Sequence, residues 1–458
     1  MRKTKIICTI GPATESFEML EKLAEAGMNV VRLNMSHGDH ASHAKVIKAV
    51  RTLNKKQSHP IAILMDTQGP EIRTGDINNE LDLKKDDVIS VVARGEDDVE
   101  ASSIRINYED LIHDVQVGDM ITVDNGLINL EILSKEDRVM QCKVIDGGVL
   151  KSKRHVNLPG IRVNLPAITE KDKRDIEFAM EQEVDFIALS FVRDAEDIHQ
   201  LRKLLGEKAD KIKIISKIED QEGVKNINDI IDVSDGVMVA RGDLGVELPL
   251  ERIPMIQKNI IRMCIHRAKP VIIATQMMES MIDRTRPNRS EITDVANAVL
   301  EGADAVMLSG ETAMGKYPVQ VVETMVSIIT EVEKEEMVYN RNLTPQPHSP
   351  SFLSDALCYN ACEMSRDVKA NALIGMTQSG YTGFMLSSFR PRSPLYIFTK
   401  TESLVNQLSL SWGVQAFFYD NEESIDEIFA DQVDILKSKG LLHSGDTIVS
   451  TESTPVKD

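Results

Sequence analysis

Short β-branched or apolar runs recur along the chain with helical segments between them. They are Lys5–Ile10, Asn29–Asn34, Ile61–Asp66, Val184–Ser190, Ile212–Lys217, Gly236–Ala240, Pro270–Thr275 and Ala305–Ser309. Their starts lie about 24 to 35 residues apart, the size of a βα unit, except that about 123 residues separate the third from the fourth. Eight buried parallel strands alternating with helices predict a (β/α)8 barrel over residues 1–69 and 166–338. The excess of roughly 90 residues after the third strand predicts an inserted domain, residues 70–165.

Inside that insert the period changes to two. Val88–Val92, Met120–Val123, Leu127–Leu133 and Val139–Ile145 are punctuated by Asp124-Asn125-Gly126 and Asp146-Gly147-Gly148, which predicts a small all-β barrel or sandwich. Pro70, Leu158-Pro159-Gly160 and Leu165-Pro166 mark its hinges. A polar, proline-containing linker, Tyr339–Ser351, then opens a third unit, residues 339–458. It reads as helix from Phe352, strand Ala372–Met376, helix from Thr382, strand Pro394–Phe398, helix, strand Val414–Tyr419, helix and strand Thr447–Ser450, an α/β domain of its own.

Composition narrows the partners. The 458 residues carry 72 acidic against 53 basic side chains, a net charge of −19. Such a surface repels phosphate backbones and anionic lipid, so nucleic acid and membranes are excluded as partners, and an anionic substrate needs a local cationic pocket or a metal. Five scattered cysteines make no disulfide framework, and Cys358 and Cys362, one helical turn apart, read as core packing. No apolar run approaches the length of a membrane span, and the opening MRKTKIICTI is too short for a leader. The expected location is the cytoplasm.

In such barrels the C-terminal strand ends form the active site. Here they are very polar: Arg32, Asn34 and Ser36 after strand two, Asp66-Thr67 after three, Lys217 and Glu219 after five. Arg241 and Asp243 follow strand six, Thr275 and Gln276 seven, Ser309 and Glu311 eight. Glu219 and Asp243 leave adjacent strands at equivalent heights, two hard oxygen ligands suited to Mg²⁺ or Mn²⁺. Arg32 and Lys217 supply cations for a phosphorylated anion. Asp66, Asn34, Ser36 and Thr67 offer one charge and several neutral oxygens, which suits a monovalent cation. Singly, each residue reads as a capped strand end or a surface ion pair; together at successive strand ends they read as a site.

These residues lie in segments that resemble the pyruvate kinase family: Cys8–Ala13, Val31–Gly38, Asp66–Arg73, Ile215–Glu219, Ala240–Gly245, Ala274–Met281 and Leu308–Ala313, in the family's order across the whole barrel. The β insert would be a lid and the C-terminal domain regulatory. The resemblance implies phosphoryl transfer from phosphoenolpyruvate to ADP, giving pyruvate and ATP, the last step of glycolysis. It implies that Arg32 and Lys217 contact the phosphoryl group, that Glu219 and Asp243 hold Mg²⁺, and that Gly242, Asp243 and Thr275 hold the substrate. Asn34, Ser36, Asp66 and Thr67 would hold K⁺, and Glu71 marks a K⁺-dependent member. Thr275, with Ser309 and Glu311 through water, would form the proton path. Arg73 and either Arg154 or Lys153 would meet the nucleotide phosphates, with Asn34 and His37 on the nucleotide side. Thr377, Ser379 and Thr382 would form a sugar-phosphate effector site, and family members are usually homotetramers.

Several motifs are decoys. Gly310–Tyr317 nearly spells a P-loop, but Tyr317 replaces the magnesium-liganding hydroxyl and Pro318 follows. His37, His40 and His43 suggest zinc, yet no fourth ligand is specified, and solvated helix residues are expected. Arg241-Gly242-Asp243 is no adhesion tripeptide and Asn288-Arg289-Ser290 no glycosylation site in a cytosolic enzyme. Two departures from the family remain: Gln68 stands where many members have Lys, and the chain ends at Thr454–Asp458, where members usually continue through a loop and one more strand. A Mg²⁺-dependent lyase on the same barrel and a catalytically silent metabolite sensor are the competing readings.

Overall fold

The computed structural model describes residues 2–57, 59–77, 80–93, 104–108, 110–124, 126–161, 165–340, 343–421 and 424–451. Eight parallel strands close a barrel: Lys5–Thr9, Val30–Asn34, Ala62–Asp66, Phe186–Leu189, Lys213–Ile218, Gly236–Ala240, Val271–Ala274 and Ala305–Leu308. Helices cover the outside and side chains fill the inside, so most of these strands are buried along their whole length. That is why they appear in the sequence as continuous apolar runs. The ring closes where Lys5 pairs with Ala305, and pairing of strands two and three sets Asn34 beside Asp66 at the rim.

The chain leaves the barrel after the third strand through Gly69, whose φ is +74° and whose missing Cβ would come within 2.8 Å of the Ser190 Cβ. Only glycine fits there. It returns through the capping box of helix Glu170–Glu181, where Asp172 also accepts from the N–H groups of Gln68 and Gly69, both at 3.1 Å. One carboxylate therefore ties exit to return.

Between these points lie a six-stranded sheet and a two-stranded sheet around a separate apolar core. The four alternating runs expected there are strands Val88–Ala93, Met120–Val123, Ile128–Glu136 and Val139–Asp146. Leu81–Leu83, Ile104–Ile106, Gly148–Leu150 and Val156–Asn157 are further strands that the sequence reading did not contain. Asn125, the centre of one expected turn, lies outside the described residues, as do the C-terminal residues 452–458.

The third unit is a four-stranded parallel sheet, ordered Val414–Phe418, Leu395–Thr399, Ala372–Met376 and Ile448–Thr451, with an apolar cluster on each face. It docks on the N-terminal end of the barrel. Leu410 joins the cluster that fills the barrel interior, and Arg390, buried against the Trp412 ring, pairs with Asp304 at 2.9 Å. Lys3 and Lys5 donate to the carbonyls of Ser393 and Val414 at 2.9 and 2.7 Å. All five cysteines are free and buried, Cys358 and Cys362 in the core of this unit.

Two motif readings are decided here. In the P-loop look-alike, the Met314 and Gly315 N–H groups both bond the Gly310 carbonyl and Lys316 N–H bonds Ile282, so the loop is folded on itself rather than around an anion. Of the three histidines, His37 and His40 are exposed as expected and His43 is not. His43 is buried and its Nε2 contacts the His37 carbonyl, while His40 meets Asp175 at 2.7 Å and stacks on Phe178. The expectation failed for His43 alone, whose ring turns back onto the His37 carbonyl at the strand-to-helix junction. Among the described residues, no group of three or more His, Cys, Asp or Glu side chains is arranged to hold a metal ion by itself.

Candidate active site

Barrel pairing carries the strand ends to a common rim. Asp66 is fully buried at its centre. Arg32 Nε reaches one carboxylate oxygen at 2.6 Å and Lys217 Nζ the other at 3.0 Å. Burial alone would raise the Asp66 pKa, but these two cations outweigh it and hold the carboxyl below its ordinary range. Lys217 also meets Glu219 Oε1 at 2.9 Å and Ser190 Oγ at 2.7 Å. Burial pulls the ammonium pKa down, and Asp66 and Glu219 more than reverse that, so Lys217 keeps its proton. Arg32 is held from its other side by Thr9 Oγ1 at 3.0 Å.

Glu219 takes a second bond, from the Phe191 N–H, at 2.6 Å. Its carboxyl is nevertheless pushed up to about 7, chiefly by burial and further by the nearby charge of Asp243, against the pull of Lys217. A pair of carboxylates short of positive charge is what a divalent cation relieves. Asp243 lies in the first turn of helix Arg241–Glu247. Arg241 anchors that helix through Asp294 at 2.6 Å and the Thr275 carbonyl at 2.7 Å, which makes it a structural clamp. Thr275 Oγ1 accepts the Gly242 N–H at 2.7 Å. Thr275 and Gln276 both adopt left-handed φ values, +65° and +54°, unusual for consecutive non-glycine residues and strained.

On the eighth strand, the Glu311 carboxylate accepts from the N–H groups of Ser309 at 2.7 Å and Met278 at 3.1 Å, and burial raises its pKa. The Ser309 hydroxyl is buried with no hydrogen-bond partner among the described residues. Asn34 Oδ1 accepts the Ser36 N–H at 3.1 Å, and its amide meets His37 Nδ1 at 3.2 Å. Asn34, Ser36, Asp66 and Thr67 thus share one corner of the rim.

The insert adds a second set of charges. Arg73 Nε pairs with Glu71 at 2.7 Å, and the same Glu71 oxygen accepts from Gln68 Nε2 at 2.9 Å. Arg73 Nη1 also reaches the Lys153 carbonyl at 3.1 Å, which brings Arg73, Lys153 and Arg154 together. Lys153 is the more exposed; Arg154 faces Asp124 at 3.5 Å. A cleft of about 370 Å³ opens between insert and barrel, lined by Leu158, Phe191, Asp220 and Glu247 among others, beside the Lys217 cluster. Asn157 spans it to Glu247 at 2.8 Å, and burial lifts the Glu247 carboxyl to about 7.

Ser190, Thr9, Asn157 and Glu247 were not among the site residues read from the sequence. Reading the ends of strands one and four, as was done for the other six, finds Thr9 and Ser190; nothing in the sequence flags Asn157. In the C-terminal unit, Thr377 Oγ1 accepts the Gly380 N–H at 3.0 Å and Ser379 Oγ the Tyr381 N–H at 3.5 Å. Two of the three expected effector hydroxyls are thus engaged by N–H groups at the start of helix Tyr381–Ser388, whose N-cap is Gly380 with a φ of +91°.

A closed parallel barrel, a β insert after its third strand and a rim of buried, mutually shifted charges define an enzyme of the (β/α)8 class. The model of the pyruvate kinase barrel domain matches residues 1–322, and that of the pyruvate kinase alpha/beta domain residues 355–458. A pyruvate kinase of Clostridium acetobutylicum is 43% identical over 458 residues, 99% of this chain and 97% of that protein. Those of Bacillus licheniformis and Geobacillus stearothermophilus are 46% and 45% identical, each covering at least 98% of this chain and 78% of their own length. The chain belongs to the pyruvate kinase family and is a phosphotransferase. Among the described residues no helix is long and apolar enough to cross a membrane.

Proposed function

We infer that this enzyme transfers the phosphoryl group of phosphoenolpyruvate to ADP, giving pyruvate and ATP, with Mg²⁺ (or Mn²⁺) and K⁺. The observation that carries the reading is the Lys217 ammonium, buried yet charged, beside Arg32 and between two carboxylates. Phosphoryl transfer asks mainly for positioned cations around the migrating group. Arg32 and Lys217 supply that charge. Glu219 and Asp243 are the ligands for the divalent ion, which would neutralise charge on the substrate oxygens when bound; the raised pKa of buried Glu219 beside the Asp243 charge fits it. Asn34, Ser36, Asp66 and Thr67 suit K⁺, since Asn34 and Asp66 are register neighbours.

As the P–O bond to the enol oxygen breaks, an ADP oxygen takes the phosphoryl group and the enolate of pyruvate remains. Gly242 and Thr275 hold the substrate carboxylate, and C3 of the enolate receives a proton along Thr275, Ser309 and Glu311. The unpartnered Ser309 hydroxyl, next to a carboxyl whose pKa is raised, supports that path. Arg73, with Lys153 or Arg154, and Asn34 with His37, meet the nucleotide. The insert acts as a lid that excludes water. A coupled pyruvate assay tests the reading: pyruvate should form only with ADP and a divalent cation present, and formation without ADP would overturn it.

The enzyme works in the cytoplasm, in keeping with five free cysteines. It assembles as a homotetramer; the exposed apolar residues Leu353, Leu357 and Met364 on helix Phe352–Asp367 with Val368 at its C-cap, and Leu250, Met255 and Ile292 on the barrel, support this. A sugar phosphate binds at Thr377, Ser379 and Thr382, replacing the bonds that Thr377 and Ser379 accept from the Gly380 and Tyr381 N–H groups. Calorimetry with fructose 1,6-bisphosphate and ribose 5-phosphate should show weak binding; no heat from either leaves the loop a helix cap.

A further inference from the structure

Lys217 has three N–H donors, and each has a partner: Asp66, Glu219 and Ser190. The three partners differ. Both carboxylates belong to cation sites in the reading above, on which this inference rests, and their hold on the ammonium changes when they bind their ions. Ser190, at the end of barrel strand four, is neutral and almost fully buried. Its hydroxyl donates to the Thr67 carbonyl at 2.7 Å, and its N–H bonds Thr67 Oγ1 at 3.0 Å. With its proton on Thr67, its lone pairs face Lys217. The same hydroxyl lies 3.4 Å from Asp66 Oδ1.

We propose that Ser190 is a positioning residue that couples the monovalent-cation corner, Asp66 and Thr67, to the ammonium of Lys217. A change in what the Thr67 and Asp66 oxygens bind alters where Ser190 places its proton. The direction in which Ser190 offers a lone pair to Lys217 changes with it. K⁺ thereby acts on phosphoryl transfer without touching Lys217.

Ser190→Ala is the test, with pyruvate formation and, separately, the rise in Tm on adding K⁺ to the substrate-free enzyme. Loss of a hydrogen bond to a charged group should lower kcat about tenfold to a hundredfold. The KM for phosphoenolpyruvate should stay within about threefold, since the loss falls on the transition state. The K⁺ concentration that gives half the Tm rise should increase by about fivefold or more. Ser190→Thr, which keeps the hydroxyl, should recover both. A kcat loss with unchanged K⁺ half-saturation overturns the coupling, as does wild-type behaviour of Ser190→Ala. If Ser190→Ala does not fold, Ser190→Cys, similar in shape but a poor hydrogen-bond partner, is read in the same way. Wild-type enzyme that makes no pyruvate, or whose Tm ignores K⁺, refutes the underlying reading. Wild-type enzyme that does both beside an indistinguishable Ser190→Ala refutes only the role of Ser190.

Discussion

The two ends of the barrel each bury lysines, in opposite surroundings. At the mouth, Lys217 lies between Asp66 and Glu219, whose attraction exceeds the cost of burial, and it stays an ammonium. At the floor, Lys3 and Lys5 face backbone carbonyls of the C-terminal unit. Burial lowers both to about 7, with Glu333 opposing, and Arg2 and Lys3 lower Lys5 further. A buried lysine is thus a cation for use on a substrate only where carboxylates hold its proton. Where carboxylates offset burial only in part, it is a docking peg whose charge depends on pH.

Lys217→Met should break the contrast most completely. Turnover should fall by about a thousandfold or more, with substrate binding within about tenfold, since the charge is needed mainly during transfer. Asp66 keeps Arg32 in that variant, so the fold should survive, and steady-state kinetics with a thermal melt check both points.

Asp243→Ala comes next, with kcat down roughly a hundredfold and the Mg²⁺ for half-activation up by about tenfold. In the wild type that Mg²⁺ requirement should rise as pH falls through about 7, where protons compete for Glu219. An unchanged Mg²⁺ titration would place the metal elsewhere.

Glu71→Lys sharpens the contrast at the rim. A fixed ammonium there stands in for a mobile cation, so the loss of activity on replacing K⁺ by tetramethylammonium should shrink from about tenfold or more to about threefold or less. Wild type equally active in both salts contradicts the K⁺ requirement.

Lys5→Met tests the floor. It removes the buried bond from Lys5 to the Val414 carbonyl and should cost about 1–3 kcal/mol of stability by urea denaturation. A lysine whose folded pKa lies below its unfolded value binds more protons when unfolded. Its contribution is full above about 10.5 and is lost as pH falls towards about 7. The wild type should therefore gain on Lys5→Met between pH 7.5 and 9.5.

The barrel was legible because its strands are buried on both faces and spaced by whole βα units, and a long gap betrays an insert. The short strands of that insert, such as Val156–Asn157, hold too few residues to show a period. In the site, charged strand ends announced themselves. Ser190 did not, because a neutral hydroxyl at a strand end is an ordinary cap until the lysine reaching it is known. Nor could His43 be foreseen as buried, since its neighbours His37 and His40 stay exposed and only the folded junction turns its ring onto the His37 carbonyl.

Ring closure has a consequence in time. Lys5 and Ile6 pair with Ala305 and Val306, so the first strand has its second neighbour only after some three hundred residues have been made. At about 5–20 residues per second, synthesis takes roughly 15–60 s to reach that point. Throughout that interval one edge of Lys5–Thr9, with Ile6, Ile7 and Cys8 at its centre, has no partner. The carbonyls that Lys3 and Lys5 will bond are later still, at Ser393 and Val414. Until they emerge, two lysines stay solvated on the growing chain and place charge beside a strand edge still free to pair with a stranger.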